Sequence, residues 1–210
     1  MIRRALFALM TVSVTIAAAA LSAQAPDWKV RIDQSRNAAD PDDTPNLKFM
    51  TAGRGFHATG GPAGTFWVPA NTAAGSYTLQ GTFTLVKPSN HTNYYGLVFG
   101  GTDLEGPTQS YVYFMVAQDG TYLIRQRTGE DTRDVFPRRP HKAVRRPDGS
   151  GRSVNALEVR VAGDTLSYVV NGTVVQSGPK GGLKTDGVVG VRVNHMLDVQ
   201  VDGIQVRRPG

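Results

Sequence analysis

Hydrophobic and polar side chains alternate with period two through most of the chain beyond Trp28. In the run from Ser76 to Leu85, Tyr77, Leu79, Phe83 and Leu85 fall on one side, and Thr78, Gln80, Thr82 and Thr84 on the other. A strand sends successive side chains to opposite faces, so this reads as a strand with one buried and one wet side. The same alternation recurs in Leu157 to Val161 and in Leu197 to Val201. Further strands are expected at Tyr94–Phe99, Tyr111–Ala117, Tyr122–Gln126, Thr165–Val170, Thr173–Gln176, Val188–Val193 and Ile204–Arg207. Shorter ones are expected at Lys29–Ile32, Leu47–Thr51 and Thr65–Val68.

Turn chemistry separates these runs. Asn171-Gly172 and Asp119-Gly120 each stand between two β-rich segments, where residues tolerant of positive φ make tight hairpins. Gly163-Asp164 and Asp202-Gly203 read as further tight turns. Loops are expected at Asp33–Asn46, through the glycines Gly100, Gly101 and Gly106 with Pro107, and over Asp131–Ser153. No amphipathic helix is visible after Trp28. The fold class is therefore all-β, a sandwich or barrel of short strands.

The first residues read differently. Met1-Ile2-Arg3-Arg4 is a positive start, an apolar stretch runs from Ala5 to Leu21, and small residues close it at Ser22-Ala23-Gln24-Ala25. That is the order of a secretory signal peptide, assigned here to residues 1–25, with an uncleaved membrane anchor as the alternative. The remaining residues, 26–210, are enough for a single β-sandwich domain in the periplasm or outside the cell, with no later membrane span. The chain has no cysteine, which excludes disulfides, thiolate metal sites and thiol nucleophiles. Taking Arg3 and Arg4 from its 23 basic residues leaves 21 against 17 acidic ones, a mild excess that does not by itself imply nucleic acid.

Several segments carry a resemblance. They are Gly75 to Leu85, Tyr94-Tyr95-Gly96-Leu97-Val98-Phe99-Gly100-Gly101, Asn155 to Val161 with its Asn171-Gly172 hairpin, and Gly190-Val191-Arg192-Val193. Over about Trp67 to Val206 the chain resembles the concanavalin A-like lectin/glucanase superfamily, in particular laminin-G-like and 3-keto-disaccharide hydrolase-type domains. The resemblance implies a two-sheet antiparallel jelly-roll sandwich with one concave sheet. It leaves function open, because lectins, hydrolases and adhesion modules share that scaffold. The superfamily's retaining glucanases carry Glu, Asp and Glu at alternate strand positions. This chain has only Glu105, Glu130 and Glu158, none in such a run. The keto-sugar hydrolases carry Asn-Ser-Gly where this chain reads Asn93-Tyr94-Tyr95-Gly96.

Candidate chemistry is sparse. Asp103 and Glu105 would share a side in a strand, and glycoside hydrolysis needs two carboxyls about 5–9 Å apart. Their Gly-rich surroundings read instead as a turn of solvated acids, with calcium as a further use for loop carboxylates. His57, His91, His141 and His195 have no helical or strand-spaced partner, and no metal site is assigned. The run Ser89-Asn90-His91-Thr92-Asn93-Tyr94-Tyr95 sets hydrogen-bonding groups beside aromatic faces, as a sugar requires. Tyr111 with Tyr113, and Arg125 with Arg127, alternate on adjacent strand candidates, so each pair shares a face.

The carbohydrate-binding set is accordingly Asn90, His91, Tyr94, Tyr95, Tyr111, Tyr113 and Arg125, on the concave sheet, with a carbohydrate or polysaccharide as partner. A competing reading makes Tyr94, Tyr111 and Tyr113 plain packing residues. The basic run from Arg133 to Arg152 is read as a solvated loop, with an acidic polysaccharide or a membrane surface as its alternative partners. Its one aromatic, Phe136, gives no platform for nucleic acid. No cofactor is assigned. The second functional reading is a glycoside or keto-sugar hydrolase using Asp103, Glu105 or His91, and the third a structural adhesion module without a small ligand.

Overall fold

The computed structural model describes residues 27–33 and 46–209. The expected signal segment and most of the Asp33–Asn46 loop lie outside the described residues. Among the described residues fourteen strands follow one another without a helix. They are β1 (Lys29–Ile32), β2 (Lys48–Ala52), β3 (Gly55–Thr59), β4 (Gly64–Ala73), β5 (Tyr77–Lys87), β6 (Tyr94–Thr102) and β7 (Ser110–Ala117). The second half contributes β8 (Thr121–Thr128), β9 (Asp131–Pro140), β10 (Ser153–Ala162), β11 (Thr165–Val170), β12 (Thr173–Pro179), β13 (Gly187–Val193) and β14 (Asp198–Arg207). No described helix is long and apolar enough to cross a membrane.

The strands form two seven-stranded antiparallel sheets. The first runs β1-β4-β13-β6-β7-β8-β9 and the second β12-β11-β10-β5-β14-β3-β2. Hairpin-linked runs (β6-β7-β8-β9, β10-β11-β12 and β2-β3) are joined to neighbours distant in sequence (β1-β4-β13-β6 and β10-β5-β14-β3), which is the jelly-roll arrangement of an antiparallel sandwich. The period-two rows meet between the sheets as expected. Tyr77, Leu79, Phe83 and Leu85 of β5 join Leu157, Val159 and Val161 of β10 in one core, packed against Tyr95, Leu97 and Phe99 of β6. At the β11–β12 hairpin, Asn171 and Gly172 both take positive φ, 50° and 80°.

Gly100 and Gly101, expected in a loop, lie within β6, where Gly101 pairs with Val188 of β13. Three further elements differ from the sequence expectation. Asp202-Gly203 does not end a strand. It is a bulge inside β14, where Val201 pairs with Phe83 and Ile204 with Gly81. Three residues on β14 thus span two on β5, and the extra one restores the parity that keeps Ile204 and Val206 against the core. The expected turn is corrected for that reason.

Second, residues 131–140 are not loop. They form β9, an outermost strand paired only with β8. An edge strand has one row of N–H groups with no ladder partner, so it tolerates Pro137 and Pro140, and its arginines discourage further pairing. Third, β3 lay hidden between glycines. Gly55 is required there because a Cβ would sit 1.8 Å from the Val201 carbonyl oxygen.

Strand parity makes a direct prediction. Phe83 is fully buried and its ring packs 5.7 Å from that of Tyr95. Phe83→Ala is expected to lower unfolding free energy by about 3–5 kcal/mol in urea denaturation. Thr82→Ala, one residue away on the outer side, should stay within about 0.5 kcal/mol. Equal losses at both positions would contradict the assigned register.

Candidate functional site

The strands at the centre of the first sheet are apolar on both sides. Seven of the eight residues of β7 are buried. Its even positions face the sandwich core. Its odd positions, Tyr111, Tyr113, Met115 and Ala117, form a second cluster on the outer face with Trp67, Tyr94, Val98, Leu104 and Leu123. This is the floor of a groove of about 450 Å3 lined by Thr92, Tyr94, Tyr113, Met115, Leu123, Arg125, Arg127, Thr132, Arg138, Arg192 and Asn194. The volume lies within the range typical of small-molecule sites.

Register explains why these side chains converge. Val98 pairs with Tyr113, Tyr113 with Arg125, and Arg125 with Asp134, so four strands contribute one row across the outer face. Beside it Tyr111 pairs with Arg127, and Arg127 with Thr132. Arg192 sits on β13 between Gly96 of β6 and Thr65 of β4. Both neighbours are small, which leaves room for the guanidinium to lie along the sheet. It reaches the Tyr113 ring, with its Cζ 5.7 Å from the centroid.

Arg192 is buried and bonded on several sides. Nη1 donates to Thr65 Oγ1 and to Tyr111 Oη, each at 3.2 Å, and Nη2 donates to Asp33 Oδ2 at 2.5 Å. The same Asp33 oxygen accepts from Arg127 Nη1 at 3.1 Å. Burial alone would raise the Asp33 pKa, but the charges and hydrogen bonds of Arg192 and Arg127 outweigh it and hold the carboxyl below its ordinary value. Burial likewise raises the Tyr113 hydroxyl, opposed by Arg192 and Arg125. On the β9 side Arg125 Nε donates to Asp134 Oδ1 at 2.5 Å, and Arg138 pairs with Asp119.

The structure sorts the sequence candidates. Tyr94, Tyr113 and Arg125 line the groove. Tyr111 lies beneath it, 1% exposed, its hydroxyl spent on Arg192 and Thr65, so its role is to position Arg192. His91 stands at the rim beside Thr92, its Nε2 3.1 Å from both His195 Nε2 and Asn93 Nδ2. Asn90 is exposed in the same bend, which Gln118 holds by bonds to the Ser89 and His91 carbonyls.

Tyr95 is a correction. It points into the sandwich core, fully buried, and its hydroxyl accepts from Asn155 Nδ2 at 3.1 Å, so it cannot reach a ligand on the outer face. Asp103 and Glu105 lie in a turn, as their Gly-rich surroundings predict, and not on one side of a strand. Asp103 has φ of 49° and its carboxylate accepts from Thr108 N at 3.0 Å and Thr108 Oγ1 at 2.5 Å, closing the loop. Glu105 is exposed in that loop and its carbonyl accepts from Arg31. Among the described residues no three His, Asp or Glu side chains gather as metal ligands.

Thr92, Met115, Leu123, Arg127, Thr132, Arg138, Arg192 and Asn194 line the groove without having been in the carbohydrate-binding set read from the sequence. Period two would have placed Arg192 opposite Val191 and Val193, on the same side as Gly190. A charged residue inside an apolar strand was the available signal.

Other hollows are less suited to a sugar. One of about 270 Å3 on the outer face of the second sheet is lined by Gln80, Thr82, Glu158 and Gln205 without an aromatic ring. One of about 490 Å3 beside residues 140–146 carries Lys142, Arg145 and Arg146 with His141 as its one ring.

The Asp33 bridge predicts a pH effect. A carboxyl held low in the folded state contributes stability that is complete above its unfolded pKa, about 3.9, and is lost as pH falls through the folded value. Thermal unfolding followed from pH 6 to pH 2.5 should show a steep decline for the wild type in the acid range. Asp33→Asn should be less stable by about 3 kcal/mol at pH 7 and show a shallower acid decline. An unchanged profile in Asp33→Asn would contradict the assigned bridge.

No protein-family model and no curated protein sequence matches this chain. Solved structures do. A carbohydrate-binding module, CBM66, from Bacillus subtilis superposes with a TM-score of 0.60 at 9% identity, covering 77% of this chain and 92% of its own. A Bacillus subtilis protein of unknown function with a galectin-like fold gives 0.57 at 13% identity over 87% and 89%. The Emp47p carbohydrate recognition domain gives 0.53 at 13% identity, also over 87% and 89%. At such identities the likeness concerns architecture alone: the chain shares an antiparallel two-sheet jelly-roll fold with these domains.

Proposed function

We propose that this protein is an exported carbohydrate-binding module whose ligand lies in the groove on the outer face of the first sheet. The observation that carries this reading is the composition of that groove. Tyr94, Tyr113, Met115 and Leu123 provide an apolar floor, and arginines, threonines and an asparagine stand around it. A pyranose ring has apolar C–H faces that stack on aromatic rings and a rim of hydroxyls that hydrogen-bond. The structural likeness to a carbohydrate-binding module and to a carbohydrate recognition domain supports the reading. Export rests on the signal-like order of residues 1–25.

The hydrolase alternative gains nothing from this groove. Its described lining includes no carboxylate, whereas glycoside hydrolysis places two across the scissile bond. Among the described residues, the acids that meet its arginines, Asp33, Asp119 and Asp134, are each held in those ion pairs.

A glycan array tests the proposal. The protein should retain at least one class of glycan, and Tyr113→Ala should lower that signal roughly tenfold or more through loss of the stacking surface. Gln205→Ala, on the second sheet, should leave it unchanged. Retention of no glycan at high protein concentration, or equal loss in both variants, would overturn the assignment.

A further inference from the structure

We infer that the ligand of this groove is an anionic glycan, one whose sugar units carry carboxylate or sulfate groups. The inference rests on the groove being the glycan site. It starts from the balance of donors and acceptors. Among the described residues, eleven line the groove; four of them are arginines, Arg125, Arg127, Arg138 and Arg192, and none is an acid. A guanidinium has five N–H donors and no acceptor. A neutral sugar presents hydroxyls that both donate and accept, so a site built for it offers acceptors as well as donors. Here the acceptors are limited to the tyrosine, threonine and asparagine oxygens. A lining dominated by pure donors is matched by a ligand dominated by acceptors.

Charge leads to the same class. Asp33 serves two guanidiniums, those of Arg127 and Arg192, with one negative charge. Asp134 and Asp119 each offset one arginine from outside the lining, through a single nitrogen: Nε of Arg125 and Nη2 of Arg138. Among the described residues the four lining arginines therefore outnumber the three carboxylates paired with them, and Arg125 and Arg138 each retain further N–H donors. Both are accessible, with side-chain exposures of 41% and 53%. A planar fork of this kind binds carboxylate or sulfate oxygens with charge-assisted bonds about twice as strong as neutral ones. The apolar floor beneath them favours a ring-bearing anion over a free inorganic one.

The strand register makes the arrangement repeat. Arg125 and Arg127 lie two residues apart on β8, on the same face and so about 6.8 Å apart along the strand. Arg138 stands on neighbouring β9. A chain with an oxyanion on successive sugar units can engage the exposed forks of Arg125 and Arg138 at once, while Arg127, held by Asp33 and the Gly129 carbonyl, adds its charge beneath them.

Isothermal titration of the full chain with oligogalacturonate, its carboxyl-reduced neutral counterpart, a sulfated oligosaccharide and single-stranded DNA tests the inference. The oligouronate, the sulfated sugar or both should bind at least tenfold more tightly than the neutral counterpart. That binding should weaken as NaCl is raised from 50 to 300 mM. Arg125→Ala should reduce it roughly tenfold or more, and so should Arg138→Ala, while both variants keep the wild-type far-ultraviolet spectrum. The ratio of uronate to sulfate affinity identifies which oxyanion the forks prefer. Equal or tighter binding of the neutral oligosaccharide would overturn the inference and leave the carbohydrate reading standing. Binding of DNA with no binding of either anionic sugar would overturn it in favour of a nucleic-acid groove. Loss of all sugar binding in every arm would remove the carbohydrate reading with it.

Discussion

A guanidinium set in the middle of a seven-stranded sheet must be given a counter-charge and acceptors, or it costs several kcal/mol to bury. Arg192 is in that position, and the groove is arranged around its solution. Thr65, Tyr111 and Asp33 take its N–H groups, and the Tyr113 ring lies alongside. Asp33 also binds Arg127, so one carboxylate at the end of β1 ties β13 to β8 across the sheet. The loop after β6 is drawn into the same face. Arg31 donates to the carbonyls of Glu105 and Gly106, and Leu104 packs into the outer cluster. The floor is held by interactions made before any ligand arrives, which limits the entropy lost when one binds.

Much of the architecture was legible because alternation is a local property. β5, β10 and β11 follow from residues within each strand, and their turns from Asn171-Gly172 and from Gly163-Asp164. Alternation also separates the paired tyrosines. Tyr94 and Tyr95 are adjacent, so period two puts them on opposite faces, and only Tyr94 can belong to an outer site. What local pattern could not supply is partnership over distance. Asp33 and Arg192 are 159 residues apart, and nothing near either one names the other.

β9 was obscured for a different reason. Its prolines and charges are disfavoured in a central strand and acceptable at an edge, and edge position is set by the whole sheet order. The same strand delivers Arg138 to the groove, so part of the site was hidden with the element that bears it. The bulge in β14 is a further case. Asp202-Gly203 has turn chemistry, and whether such a pair ends a strand or kinks it depends on whether the residues beyond it find a core to face. Ile204 and Val206 do.

In the proposed binding mode, ligand occupies the outer face of the first sheet, over Tyr113 and between Arg125 and Arg192. The most direct measurement is a 15N-labelled amide titration with the best-retained glycan. The account predicts perturbations concentrated on β7, β8 and β13 around Tyr113, Arg125 and Arg192, with the amides of Thr82, Glu158 and Gln205 on the second sheet unmoved. Perturbations clustered on the second sheet, with Tyr113 and Arg125 silent, would contradict it.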